Sequence, residues 1–429
     1  MNLASLEDVV TAATTVSDAA TLSMALKAFL KRDVAEPTLA SMLANDQDPL
    51  ALLNPLENTI GYLFILTARL EQSGSGPGLT AQIFSFVEGC STNLLAWVPE
   101  RVNTFVSRLL RQPNVREMLE ALAIFVQRYP HSRDVFTAVH TVFLQACVRY
   151  RVYQVALPVL NNRVAQIDKS IYPITYLDNL LYHYYGAFAF IALKQWADAE
   201  EFLEMVVAAP ISSNIPSAIQ MEAMKKLSLV HLIRYGTIRS LPKYIPPLFA
   251  KAIKQSSYGQ FAKVYPAGQV QQVAEKEAKT FHADFNIGLV KEAIDMAPRW
   301  KLRTLTKTYL TLSLAEIGKE IDMADETILR SLVENMIQIG EISATLEGDT
   351  LTFIDEKPNF RPGDIEKALA DAQEQCQKLA KLDQAVGRSR EFLQKALKDR
   401  DTGGGGGWAA AGDEEMLWAE EISAQQAYL

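Results

Sequence analysis

Cysteine is scarce in this chain of 429 residues, and its scarcity excludes two classes of site. Cys90, Cys147 and Cys376 lie far apart, so there is neither a disulfide framework nor a cysteine metal pattern, as befits a reducing compartment. Histidine is nearly as rare. His131, His140, His183, His231 and His282 fall on separate predicted helices and read as structural or surface residues. No GxxxxGK[ST], HExxH or His-x-His pattern occurs. Glu200-Glu201 and Glu414-Glu415 are adjacent pairs, which point to different sides of a helix and make no acid/base dyad. Catalytic residues, cofactor sites, metal sites and a small-molecule substrate are therefore not expected. Positive charge is also in deficit: the net charge is -8 and the pI about 5.4, which disfavours general attraction to nucleic acid or anionic membrane. The longest strongly apolar run, Ile60 to Ala68, is too short to span a bilayer, and the first residues show no signal-peptide core. The expectation is a soluble intracellular protein.

What the chain does have is helical periodicity. Leu22, Ala25, Leu26, Phe29 and Leu30 are one example, and Leu119, Leu122, Ala123 and Val126 another. Ser73–Gly78 reads as a loop by composition. An internal repeat follows. Tyr150, Tyr153, Ala156 and Leu160 recur 43 residues later as Leu193, Trp196, Ala199 and Leu203. Tyr235, Ile238 and Leu241 form a degenerate third set. An aromatic-x-x-Ala step suits a helical hairpin, because the small residue lets the second helix approach closely. Tyr153, Ala156, Trp196, Ala199 and Leu203 are therefore the expected repeat-packing residues, and an irregular helical bundle is the alternative. Pro242, Pro246 and Pro247 mark a break, after which residues 248–297 again read as helical.

Residues 298–356 read as a winged helix. The run Thr306–Leu314 leads into Ala315-Glu316-Ile317 as a first helical run. Ile328–Ile337 is the second, and Gly340 supplies a C-cap. Ile342–Leu346 and Leu351–Asp355 alternate apolar and polar residues about the turn Glu347-Gly348-Asp349, as a two-stranded wing does. Arg299, Lys301, Arg303 and Lys307 with Trp300 form a basic patch that could meet nucleic acid. The stretch as a whole holds six basic and eleven acidic residues, however, and the second helix offers Glu326, Arg330 and Glu334. A solvated face or an acidic partner fits better. Tyr182, Tyr184 and Tyr185 with His183 could form an aromatic cage, but repeat packing explains them more simply.

Beyond a linker at Pro358 and Pro362-Gly363, the residues Ile365, Leu369, Ala372, Cys376, Leu379, Leu382 and Val386 recur at steps of four and three, a narrow coiled-coil-like seam. Gly403–Gly407 is a flexible linker by composition. The tail 413–429 is acidic, with Met416, Leu417, Trp418 and Ile422 at helical spacing.

A helical-repeat array joined to a winged helix resembles the PCI-domain scaffold family, whose members build the proteasome lid, the COP signalosome and an initiation-factor complex. Within it, several strings are similar to the third-subunit branch of the COP signalosome (constitutive photomorphogenesis complex nine). They include Ile60–Phe64, Tyr184-Tyr185-Gly186 with Leu193-Lys194, Glu222–Lys226 with Leu229–Ile233, Leu241-Pro242-Lys243, and Asn286–Lys291. The most specific are Leu305–Leu314 and Met336–Ile342 with Ala344. The resemblance spans about 57–355 in scattered pieces. It implies a mainly α chain: a TPR-like solenoid, a winged helix completing a PCI domain, and a C-terminal helix. The expected divisions are 1–240 (repeat array), 241–297 (connection), 298–356 (winged helix), 364–400 (bundle helix) and 401–429 (Gly-rich linker and acidic tail). It further implies a non-catalytic scaffold in the complex that removes the ubiquitin-like protein Nedd from cullins. The expected partners are other PCI and metalloprotease-fold subunits and, indirectly, cullin-RING ligases. Two surfaces are expected to meet neighbours. One is the wing edge, Ser343, Thr345, Leu346, Thr352 and Phe353; the other is the C-terminal seam, Ile365, Leu369, Ala372, Cys376, Leu379 and Leu382. The alternatives are a proteasome-lid or initiation-factor PCI subunit and a winged-helix nucleic-acid module.

Overall fold

The computed structural model describes residues 3–72, 77–211, 215–323, 325–354 and 362–401. The chain divides into two compact units after Phe353. The Gly-rich linker and the acidic tail lie outside the described residues.

The first unit is built almost wholly of helices. Near its start they pack around Thr59–Gln72, where every residue from Ile60 to Leu70 is buried. That explains the apolar run at Ile60–Ala68: it is a core helix. A ladder of rings continues the core through successive helices. Tyr62 stacks on Phe86 at 5.5 Å, Phe86 meets Phe105 at 5.5 Å, Phe105 meets Phe125 at 5.8 Å, and Phe125 stacks on Tyr129 at 5.4 Å. Rings in such offset and edge-on contacts add directional attraction to their area burial. Two guanidiniums are buried in this region: Arg101 is compensated by Glu36 at 2.5 Å and the Phe64 carbonyl at 2.8 Å, and Arg69 by Asp48 at 2.7 Å.

The repeat is visible in the backbone. Helix Ala138–Arg149 turns at Arg151 (φ +57°) into Tyr153–Leu160, and helix Tyr176–Ala192 turns at Lys194 (φ +57°) into Trp196–Ala208. The same bond closes both turns: Val152 N–H donates to the Cys147 carbonyl and Gln195 N–H to that of Phe190, each at 2.9 Å. A short parallel ladder, β1 (Val135–Phe136) with β2 (Gln166–Ile167), ties adjacent segments together. Gly186 permits the close crossing of the second pair, since a Cβ there would lie 2.6 Å from the Phe202 ring.

The third unit begins alike. Helix Ala218–Tyr235 is buried on most of its circumference and ends at left-handed Gly236 (φ +73°). No helix in register follows. Residues 237–246 cross without regular structure before Pro247–Gln255. Trp300, on helix Ile287–Leu305, covers Gly236 instead and donates to the Ile233 carbonyl at 3.0 Å. That helix runs unbroken through 298, the expected start of the winged helix.

The winged helix differs from expectation in two respects. Thr311–Ser313 is a strand, β3, rather than part of a helix. Its alternation of Leu310, Leu312 and Leu314 with Thr and Ser is a strand pattern, and the helix Leu314–Ile321 begins only after the Ser313–Glu316 capping box. The sheet therefore has three strands, in the order β3, β5 (Thr350–Phe353), β4 (Ala344–Glu347), all antiparallel. One face covers Glu326–Gln338 and its partner helix through Ile342, Ala344, Leu351 and Phe353.

In the second unit the expected single helix is two, Pro362–Gly387 and Arg390–Asp401. Ser389 interrupts them, its hydroxyl accepting the Phe392 N–H at 3.3 Å as a new N-cap.

Candidate functional site

The repeat residues come together in part. Ala156, Ala199 and Leu203 are fully buried, whereas Tyr153 and Trp196 are only half-buried, each at the first position of its helix. The small residues thus sit at the crossings and the aromatic ones on the rim.

The tyrosine cluster does not close into one cage: Tyr182 and His183 line a cavity of about 360 Å³ with Phe136 and Met205, while Tyr184 and Tyr185 do not. Tyr182 packs against Phe136 at 5.1 Å. Tyr184 and Phe188 face the chain's own Lys226, whose ammonium lies 5.5 and 5.1 Å from their ring centres. Burial pulls the Lys226 pKa down, and Glu222 at 3.4 Å opposes this. Neighbouring Lys225 bridges Glu222 (2.6 Å) and Asp284 (2.9 Å). Two adjacent lysines between aromatic helices carried that signal in the sequence, but only the fold pairs them.

Among the described residues, Glu200, Glu204 and His231 bring ligand atoms within 4.8 Å of one another. Glu200 is taken by the Arg234 guanidinium and by the Tyr235 hydroxyl at 2.9 Å, and Arg239 acts on Glu204. Burial holds His231 below the ordinary imidazole pKa, against the pull of Glu200. One carboxylate already paired with a guanidinium, beside a second whose pKa is raised by burial and by Glu200, leaves little charge to attract a cation.

The basic patch is largely engaged within the chain. Arg299 pairs with Glu341 at 3.0 Å and donates to Asn335 at 2.7 Å, Lys301 reaches the Ile321 carbonyl at 3.4 Å, and Arg303 lies over Trp300 at 4.7 Å. On the second helix of the module Arg330 is tied to the turn, to Asp349 and to the Gly348 carbonyl. A nucleic-acid contact would have to break these pairs.

The wing edge needs correction. Thr352 and Phe353 belong to the middle strand, flanked on both sides, so they present no open edge. Phe353 N–H donates to the Leu310 carbonyl at 2.8 Å, towards β3. Alternate residues face opposite edges, so Thr352 faces β4 and engages its register partner Thr345. Among the described residues, the backbone groups left without a strand partner on β4 are those of Ala344 and Leu346. Ser343 and Thr345 have exposed side chains and Leu346 is half-buried.

Ile365, Leu369, Ala372, Cys376, Leu379 and Leu382 are all exposed on Pro362–Gly387, with Leu369 58% and Leu379 60% accessible. The whole predicted seam is thus open to solvent on this helix, with large apolar side chains among its members.

A helical-repeat array running into a winged helix, with these two open surfaces, is a mainly α scaffold of the PCI type. More narrowly, the chain belongs to the family described as COP9 signalosome complex subunit 3, N-terminal helical repeats, whose model matches residues 24–249. It is similar to the COP9 signalosome complex subunit 3 of Dictyostelium discoideum, 28% identical over 378 residues, covering 82% of this chain and 88% of that protein. It is also similar to the Arabidopsis thaliana protein of that name, 28% identical over 288 residues, covering 64% of this chain and 65% of the relative. Among the described residues no helix is long and apolar enough to cross a membrane.

Proposed function

We propose that this chain is a non-catalytic scaffold subunit of a COP9 signalosome, working in the cytoplasm and nucleus within the complex that deneddylates cullin-RING ligases. The exposed seam on Pro362–Gly387 carries this reading, because a helix with its whole apolar stripe in water is an incomplete bundle element. Family membership supports the choice of complex. In this reading the domains follow the order drawn above, with the helix Ile287–Leu305 leading into the winged helix and two helices in place of one beyond it; the seam joins a bundle of helices from neighbouring subunits, and the β4 edge accepts a strand from another winged helix. The chemistry then belongs to a metalloprotease-fold partner. The test is co-purification with the tagged chain. Wild type should recover signalosome subunits, whereas a chain truncated after 361 should stay folded and lose most of them. Leu346→Pro should remove a free edge donor and weaken recovery less severely, with its fold checked by circular dichroism. Full incorporation of the truncated chain would rule the bundle role out, and recovery of proteasome-lid or initiation-factor subunits would reassign the complex.

A further inference from the structure

The third repeat unit departs from the pattern of the other two. Where the register calls for a second helix, Pro242, Pro246 and Pro247 prevent one, and residues 237–246 leave a groove of about 870 Å³ against the helices Pro247–Gln255 and Ser257–Val264. Its floor is apolar: Met224, Ile245 and Ile253 are buried, and Ile238 and Leu241 are half-buried walls. Four cations line it, Arg239, Lys243, Lys254 and Lys263, and among the described residues no carboxylate does, in a chain whose net charge is -8. Arg239 is held in place over the Tyr235 ring at 4.2 Å. Lys243, Lys254 and Lys263 are exposed and form no ion pair among the described residues. Nor does any hydrogen bond among the described residues engage the backbone of Thr237–Leu241.

From these features we infer that the groove binds an extended, acidic peptide segment of a partner protein. The unpaired backbone of Thr237–Leu241 offers hydrogen bonds to an extended chain, the floor seats one or two apolar side chains, and the lysines pair with flanking carboxylates. A lone phosphate would use only the lysines and leave the floor and the backbone idle, so the occupant that matches all three features is a peptide. The inference stands apart from the subunit assignment, because it concerns a surface used by neither the wing nor the C-terminal seam.

The probe is a fluorescein-labelled synthetic peptide of alternating glutamate and leucine, titrated with the full chain by fluorescence polarisation. A lysine–leucine peptide of equal length is the control. The acidic peptide should bind saturably, and the basic one at least about tenfold more weakly. The triple variant K243E/K254E/K263E changes only exposed side chains, so it should melt with wild type yet bind the acidic peptide at least about tenfold more weakly. Ser240→Pro, which removes one free donor, should weaken binding with the lysines intact. Absence of saturable binding, equal affinity for wild type and the triple variant, or displacement of the peptide by an equal concentration of inorganic pyrophosphate would each overturn the inference.

Discussion

Two helices of this protein are of comparable design and opposite fate. Ala218–Tyr235 carries apolar residues around most of its surface, and Ala223, Leu227, Val230 and Ile233 are lost from solvent. Pro362–Gly387 carries a single stripe, and the whole of it remains exposed. The difference is one of pattern more than of content. A helix apolar on several faces satisfies itself inside one chain, between neighbours on each side. A helix with one narrow seam can satisfy only that seam, and here the seam is exposed. Packing inside the repeat array therefore sets stability, whereas the seam, in the function proposed above, is free to serve association.

The sharpest test of that contrast places one substitution in both contexts. Ala199 is fully buried at a helix crossing, and Ala372 is exposed on the seam. Ala199→Trp should overpack the crossing and cost about 3 kcal/mol, seen as a clear fall in the thermal midpoint. Ala372→Trp should leave the isolated chain's midpoint unchanged. Equal effects at the two sites would erase the distinction.

Acid should separate the regions next. His140 is buried, and its Nδ1 accepts the Thr137 N–H at 3.2 Å, a bond that needs the neutral ring. Burial pushes its pKa down to about 4. The unfolded chain takes up the proton first, near pH ~6.5, so the stability is complete above that value and drains away as pH falls towards 4. Between pH 7 and 5 the loss from His140 alone should be on the order of 2 kcal/mol. Burial lowers His183 and His231 as well, and they add in the same direction. Residues 354–429 contain no histidine. Urea melts at the two pH values should show the loss in wild type and a smaller one in His140→Gln. A pH-independent midpoint would mean that these imidazoles are not held neutral.

The smallest effect on stability, and the largest on assembly, is expected at the seam. L369D/L379D alters two exposed positions, so the isolated chain should melt within about 0.5 kcal/mol of wild type while losing its co-purifying subunits. A strongly destabilised double variant would show that the seam packs within the chain after all.

Much of this was legible in the primary structure. The repeat register emerged from Tyr153, Ala156, Trp196 and Ala199, and the backbone repeats it as left-handed turns at Arg151 and Lys194. Periodicity is local, because one helix turn decides which residues share a face. The strand Thr311–Ser313 was misread as helix, because three residues carry too little pattern and its strand partner Thr350–Phe353 lies some 40 residues on. The middle position of Thr352 was hidden for the same reason.

Sequence by itself therefore determined the helical class, the repeat spacing, the wing's existence and the seam, since each is written in spacing along one element. Only the tertiary structure decided that Lys226 sits against Tyr184 and Phe188, that Arg299 answers Glu341, and that the β4 edge is open while β5 is closed. Those are pairings between elements far apart in the chain. Charge, size and alternation restrict which partners a residue can take, but three-dimensional packing selects among them.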